Sequence, residues 1–409
     1  MEARRETPTR GYNSTGSRGQ MVSQQSQAPD EILVVDDTPA NLRLLSQILV
    51  EHGYRVRAVT SGARALESAQ TSPPSLVLLD IRMPEMSGYE VCERLKASER
   101  TRHIPVIFIS ALDDVEDKVR AFHMGGVDYI TKPFQIGEVL ARTETHLALR
   151  RLQEQLRDRN RRYERELALA GRIQASFLPS SIPNVPGWQI AARLVPSRET
   201  SGDFYDLVPL PDGRWGIVIG DVADKGAGAA LFMALSWSLI RTYLAEHPFA
   251  PALAFDAVNR RILQDTLGTE FVTGFLGVLD PGSGRLTYAN AGHCPGLLLR
   301  ADGEVDWLTR TGMALGVVDD AAWEEEQVDL ESGDLLVLYT DGVTETPDPD
   351  GALFRMPRLQ LAVQAYRSAG PVEILESVLD EVATFAQDAR IQDDIALIVL
   401  KRGTRDEGP

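Results

Sequence analysis

Two sets of carboxylates carry the chemistry of this sequence. The first is Asp36, Asp37 and Asp80, joined by Ser110 and Lys132. Each lies at or just after the end of a short apolar run: ILVV, LVLL, PVIFI and VDYI. Carboxylates crowded together repel, and a hard divalent cation with oxygen ligands, such as Mg²⁺, offsets that repulsion. A lysine beside them can pair with an incoming phosphoryl group, a serine hydroxyl can donate to it, and an Asp can attack phosphorus to give an acyl phosphate. Taken singly, a strand-end Asp can be no more than the cap of the next helix. Five such positions in one pattern argue for chemistry.

The second set is scattered through the other half of the chain. SGDFYD holds Asp203 and Asp206, IGDVADKG holds Asp221, YTDGVTE holds Asp341, and IQDDIALIVL holds Asp393 and Asp394. Acids at strand ends beside glycine are where a layered fold can gather them in one cleft. Four or more carboxylates without Cys or His pairs point to Mg²⁺ or Mn²⁺, not zinc. Two such ions about 3.5–4 Å apart can hold a phosphate and the water that attacks it. The rival reading is a metal-free binding module, since Asp-Gly at 341 and 342 is a common turn. His293 and Cys294, between Gly292 and Pro295, read as turn-shaping residues.

The elements that must position these groups follow from the pattern. Strands ILVV, RVRAVT, LVLLD, PVIFIS and VDYI alternate with helical segments, which implies a doubly wound parallel α/β sheet. Ligands of such sheets bind beyond the carboxyl ends of the strands, so the first acids converge on one rim. From Ile136 to Phe177 there is no proline. Leu149, Leu152, Leu156, Tyr163, Ala170, Ile173 and Phe177 follow a 3–4 spacing, interrupted by Arg159 and Glu166, which predicts a helical, coiled-coil-like linker. From Arg142 to Arg172 there are nine Arg and five acids, about +4. After Pro179, strands such as WGIVIGDV, FVTGFLGVLD and DLLVLYTDG mix with grouped helices, predicting an α+β β-sandwich flanked by helices. The expected boundaries are a disordered tail over 1–28, the α/β domain over 29–147, the linker over 148–178, the second domain over 179–403 and a tail over 404–409.

Composition narrows the function class. The 409 residues carry a formal charge of −17, which argues against a general nucleic-acid binder. Two distant cysteines exclude a disulfide scaffold and fit a reducing cytoplasm. No run of 18 uninterrupted apolar residues is present, so no membrane span is expected. VEILESVLDEVATFAQ is acidic, unlike a DNA-recognition helix.

Residues 31–147 resemble the CheY-like receiver domain of two-component response regulators, through VVDD (34–37), LLDIRMPEMSG (78–88), FISA (108–111) and DYITKPF (128–134). The resemblance implies that Asp80 is the phosphoacceptor. It implies that Asp36, Asp37, Asp80 and the Arg82 carbonyl hold Mg²⁺, that Ser110 and Lys132 contact the phosphoryl group, that Tyr129 is the aromatic switch, and that the Lys132–Pro133 bond is cis. Ser110 stands where many receivers have Thr.

Residues 165–402 resemble the SpoIIE/RsbU branch of the metal-dependent PPM (type 2C) Ser/Thr protein phosphatases. The matching strings are AGRIQASFLP (170–179), SGDFYD (201–206), GDVADKG (220–226), NAGH (290–293), LGV (315–317), YTDGVTE (339–345) and DDIALIVL (393–400). This resemblance implies two Mn²⁺ or Mg²⁺ held by the catalytic acids Asp203, Asp221, Asp341 and Asp393 and by the Val222 carbonyl. Asp394 aligns less well as a ligand than Asp393, and Asp206 supports the ligands. Arg198 stands where some members contact the substrate phosphate. Ser201, Lys225 and Ala396 depart from the commoner residues, yet none removes a ligand.

Together the two resemblances imply a response regulator in which a sensor histidine kinase phosphorylates Asp80 and so controls a phosphatase. The implied substrate is a phosphorylated STAS-type anti-sigma-factor antagonist, with a homodimer formed through the receiver and linker helix. The alternative is an inactive scaffold that binds the antagonist.

Overall fold

A computed structural model describes residues 29–111, 115–266, 270–387 and 393–403, with the side chains of 115–118 excepted. The expected tails over 1–28 and 404–409 lie outside the described residues. Contacts divide the chain into two compact units between Asp158 and Arg159.

The first unit alternates β1 (Glu31–Val35), α1 (Pro39–Glu51), β2 (Arg55–Val59), α2 (Gly62–Thr71), β3 (Leu76–Asp80), α3 (Gly88–Ala97), β4 (Val106–Ser110), α4 (Val115–His123), β5 (Asp128–Thr131) and the start of α5 (Ile136–Ala175). Its parallel sheet has the order β2-β1-β3-β4-β5. Strands β1, β3 and β4 are apolar and buried on both faces, which is why they read as continuous runs. Leu33, Val35, Val77, Leu79 and Phe108 face one helix layer, and Ile32, Val34, Leu76, Leu78 and Ile107 face the other, among them α5 through Val139 and Leu147. α5 is tied further by Arg150 to the Pro74 carbonyl and by Arg151 to Asp30. These bonds place residues 148–158, expected in the linker, with the first unit.

The second unit holds the end of α5 and β6 (Trp188–Val195), β7 (Phe204–Pro209), β8 (Trp215–Val222), α6 (Ala227–Glu246), α7 (Pro251–Asp265), β9 (Val272–Asp280), β10 (Arg285–Ala291), β11 (Gly296–Leu299), β12 (Val305–Leu308), β13 (Glu326–Asp329), β14 (Leu335–Tyr339), α8 (Asp341–Thr344), α9 (Arg355–Ala365), α10 (Pro371–Ala386) and β15 (Ile395–Arg402). Two five-stranded antiparallel sheets run β13-β10-β9-β8-β7 and β12-β11-β14-β15-β6. Period-two alternation sorts their side chains. Ile217, Ile219 and Phe275 meet Leu336, Leu338 and Ile398 between the sheets. Val218, Val222 and Leu276 face α6 and α7, whereas Val337, Leu397 and Val399 face α9 and α10. The result is a four-layer α/β/β/α sandwich.

α6 is long and apolar enough to cross a membrane by length and composition alone. Its Phe232, Met233, Ile240 and Leu244 pack into the core against the first sheet. The seam expected along α5 is exposed at Leu149, Leu152, Leu156, Tyr163 and Ile173. Phe177 departs from it: the helix ends at Ala175, and the Phe177 ring stacks on Trp237 at 5.3 Å.

Candidate active sites

In the first unit the strand ends deliver Asp36, Asp37 and Asp80 to one rim, each offering a carboxylate oxygen within 4.8 Å of the others. Asp36 is fully buried and held by the Thr38 N–H at 2.8 Å and the Asn41 amide at 3.0 Å. Lys132 bridges Asp36 Oδ2 at 2.8 Å and Asp80 Oδ2 at 3.1 Å. Burial raises the Asp80 carboxyl, against the pull of Lys132. The Lys132 N–H donates to the Ser110 carbonyl at 2.8 Å, which sets Ser110 and Lys132 side by side at the same rim. The Lys132–Pro133 bond is cis. Asp37, Ile81, Arg82 and Arg120 line an open cleft of about 550 Å³. The Tyr129 ring packs edge-on to Phe122 at 6.3 Å, with the Arg142 guanidinium 5.3 Å from its centre. Three close carboxylate oxygens with one basic partner fit a hard divalent cation.

In the second unit the register Phe204↔Gly220 between β7 and β8, continued by one residue, sets Asp203 opposite Asp221. Gly202 lies against the carbonyl of Val222. From the other sheet, Thr340 at the end of β14 donates through Oγ1 to Asp203 Oδ2 at 2.6 Å and accepts from the Ala396 N–H at 2.8 Å. Thr340 thus ties the two sheets at the acid cluster. Asp341 opens α8, and Gly342 follows because a Cβ there would sit 1.9 Å from the Asp394 carbonyl. That close approach brings Asp341 beside Asp393.

The acids of this cluster are short of positive charge. Burial, reinforced by Asp221, holds the Asp203 carboxyl well above the carboxylate range. Burial and then Asp341 push Asp221 up to about 7, and burial and then Asp393 push Asp341 up to about 6. Asp203 and Asp221 share a hydrogen bond that stabilises the proton on Asp203. Only Lys225, pairing with Asp393 Oδ2 at 2.9 Å, is seen to bring an ion-paired cation to the four acids among the described residues. Carboxylates that cannot all ionise alone, with oxygen donors throughout, fit Mg²⁺ or Mn²⁺ held by Asp203, Asp221, Asp341, Asp393 and the Val222 carbonyl. They are not drawn as tightly together as the first trio, which alone among the described residues brings three ligand atoms within 4.8 Å.

The remaining acids have other partners. Asp394 accepts the Ser197 N–H at 2.6 Å and the Gly202 N–H at 2.8 Å, so both oxygens bind main chain. Asp206 is buried and paired with Arg241 at 2.6 Å. Arg198 is exposed in the bend before Asp203. His293 is buried, its Nδ1 2.9 Å from Thr273 Oγ1, and burial pushes it down to about 4, so the ring is neutral. Burial pushes the Cys294 thiol up to about 12, which keeps it protonated and a poor metal ligand.

Sequence reasoning missed four contributors. Asn41 and Thr340 orient carboxylates, and Arg241 neutralises Asp206. Gln174, on the last turn of α5, donates to the Ser201 carbonyl at 2.5 Å and accepts the Ser201 N–H at 2.9 Å. Gly171 is the one signal that could have found this joint: a Cβ there would lie 1.8 Å from the Glu199 carbonyl.

Known proteins match this architecture. The response regulator receiver domain matches residues 32–144, and the family of stage II sporulation protein E (SpoIIE) matches residues 211–403. Protein IcfG of Synechocystis is 35% identical over 263 residues, covering 58% of this chain and 41% of its own length. The phosphoserine phosphatase RsbU of Bacillus subtilis is 31% identical over 260 residues, covering 63% of this chain and 74% of its own. The PP2C domain of SiaA from Pseudomonas aeruginosa, 20% identical, superposes with a TM-score of 0.54 over 59% of this chain and 98% of its own, a likeness of fold. With a receiver in front and the acid cluster behind, the chain belongs to the SpoIIE/RsbU family of PPM-type protein phosphatases.

Proposed function

We propose that the chain is a response regulator whose output is metal-dependent hydrolysis of phosphoserine or phosphothreonine on a protein. The observation that carries the reading is the cluster of buried Asp203 with partly buried Asp221 and Asp341, whose raised carboxyls call for external positive charge. Two divalent cations held there by Asp203, Asp221, Asp341, Asp393 and the Val222 carbonyl would supply a water of lowered pKa and positive charge for the phosphoryl group. The chain's residues do the rest. Thr340 fixes the Asp203 carboxylate, Asp394 holds the main chain of residues 197 and 202, and Arg198 meets the substrate phosphate. The oxygen of water bonds phosphorus as the phosphorus–serine oxygen bond breaks, and the departing serine oxygen takes up a proton given up by that water, so that phosphate and the free hydroxyl leave.

In the first unit Asp80 takes a phosphoryl group from a histidine kinase as an acyl phosphate, with Mg²⁺ held by Asp36, Asp37, Asp80 and the Arg82 carbonyl. Lys132 and Ser110 then bond the new oxygens and Tyr129 repacks. α5, dimerised through its exposed seam, carries the change toward Asp203. The substrate is a phosphorylated STAS-type antagonist of an anti-sigma factor, and the setting is the cytoplasm. RsbU, named a phosphoserine phosphatase, supports the substrate class.

The test is release of phosphate from a phosphoserine peptide and from p-nitrophenyl phosphate, with Mn²⁺ or EDTA, with and without acetyl phosphate. Turnover that needs metal and disappears in Asp341→Asn supports the enzyme. A response to acetyl phosphate that is lost in Asp80→Asn supports receiver control. No turnover with Mn²⁺ leaves the scaffold reading, and turnover indifferent to acetyl phosphate sinks the phospho-switch.

A further inference from the structure

Lys225 sits on the turn between β8, which ends in two of the metal-site groups, and α6. The turn has a defined backbone: Asp224 adopts φ 82°, its carboxylate accepts the Lys225 N–H at 2.8 Å, and Gly226 follows at φ 93°. From this turn the four-carbon stem reaches Asp393 Oδ2 at 2.9 Å, and the ammonium also lowers the raised carboxyl of Asp341. Asp203 is buried, whereas the Lys225 side chain is 37% exposed. Lys225 therefore lies on the solvent side of the cluster, from which a phosphoester on another protein must arrive.

An ammonium and a divalent cation compete for one carboxylate, because each repels the other at close range. Lysine suits both positions: it is a compact point charge on a flexible stem and a common phosphate binder. We propose that Lys225 is a two-position cation. It occupies Asp393 while that carboxylate lacks metal, and it contacts the phosphoryl oxygens of a phosphoserine or phosphothreonine monoester once metal takes the carboxylate. This rests on the phosphatase reading for its second position only.

The test uses the full chain stripped with EDTA, as wild type, Lys225→Met and Lys225→Arg. Calorimetric titration with Mn²⁺ reads the first position. With the competitor gone, Lys225→Met binds Mn²⁺ about three- to tenfold more tightly. Steady-state kinetics on a phosphoserine peptide read the second. In Lys225→Met the KM rises about tenfold with kcat changed far less, and Lys225→Arg, which keeps the charge, restores most of the KM. Weaker Mn²⁺ binding in Lys225→Met would make Lys225 a prop for Asp393 and overturn the competition. An unchanged KM would overturn the phosphate contact. A wild type that binds Mn²⁺ but hydrolyses nothing removes the second position together with the phosphatase reading, while the titration still decides the first.

Discussion

The two acid sites solve the same electrostatic problem in opposite ways. In the receiver, Lys132 lies between Asp36 and Asp80, and Asn41 holds Asp36, so the chain itself supplies much of the compensation. In the phosphatase unit, Asp203 and Asp221 face each other at the strand ends, and burial raises both carboxyls instead. The difference matches the chemistry proposed. Asp80 must itself react, so its surroundings are set in advance and carry a partner for the incoming phosphoryl group. On the proposed reading the phosphatase acids form no bond to phosphorus, and their deficit of positive charge would draw metal in.

Removing one acid from each site tests this contrast most severely. Asp341→Asn abolishes Mn²⁺-dependent phosphate release while leaving Asp80 able to accept phosphate from acetyl phosphate, read on a phosphate-affinity gel. Asp80→Asn does the reverse: it takes no label and keeps basal hydrolysis. Loss of both functions in either variant would mean that the two sites are not separable.

A smaller effect is expected at Thr340. Thr340→Val keeps the shape and deletes the hydroxyl that holds Asp203, and loss of such a partner typically costs 10–100-fold in metal affinity or activity. Mn²⁺ titration beside the rate assay measures it. An unchanged affinity would make the link between the sheets merely structural.

Acidity gives the next contrast. Because Asp221 is pushed up to about 7 and Asp341 to about 6, protons compete with metal in the neutral range. Mn²⁺ affinity should fall as pH drops from 8 to 5.5, approaching about tenfold per proton displaced for each pH unit below the relevant value. A flat profile would show that these carboxyls are ionised regardless of metal.

Stability without metal should run the other way, and by less. Asp221 binds its proton more tightly when folded than when unfolded. That contribution is complete below about 3.9, the unfolded value, and is lost as pH rises through about 7. All five tryptophans, at 188, 215, 237, 307 and 323, lie in the second unit, so their fluorescence follows that unit alone. In EDTA its melting temperature should fall between pH 5.5 and 8, and Asp221→Asn should raise the pH 8 value by a few degrees, on the order of 1 kcal/mol. No gain in Asp221→Asn would mean that the buried repulsion is already relieved.

Much of this was legible in the sequence for a physical reason. A parallel sheet buried on both faces writes its strands as unbroken apolar runs, and the residue after each run lies on the ligand rim, so Asp36, Asp80 and Ser110 declare themselves. The sandwich was readable where its strands are long and apolar, as in β8, β9 and β15. The edge strands β12 (VDWL) and β13 (EQVD) are four residues long and half exposed, and they lack the alternation that marks a strand. α9 was missed as well, since Arg355 at φ 63° and Pro357 obscure its start. Thr340 and Gln174 were invisible for a deeper reason. Their partners, Asp203 and Ser201, lie 137 and 27 residues away, and an ordinary threonine or glutamine carries no local mark of what it will meet.

The joint at Gln174 has a mechanical consequence. One side-chain amide grips both the carbonyl and the N–H of Ser201, two residues before Asp203. A displacement of the helix end must carry the Ser201 backbone with it or strain two buried bonds. Such a joint ties the end of the helix, by two bonds at one position, to the backbone two residues before Asp203.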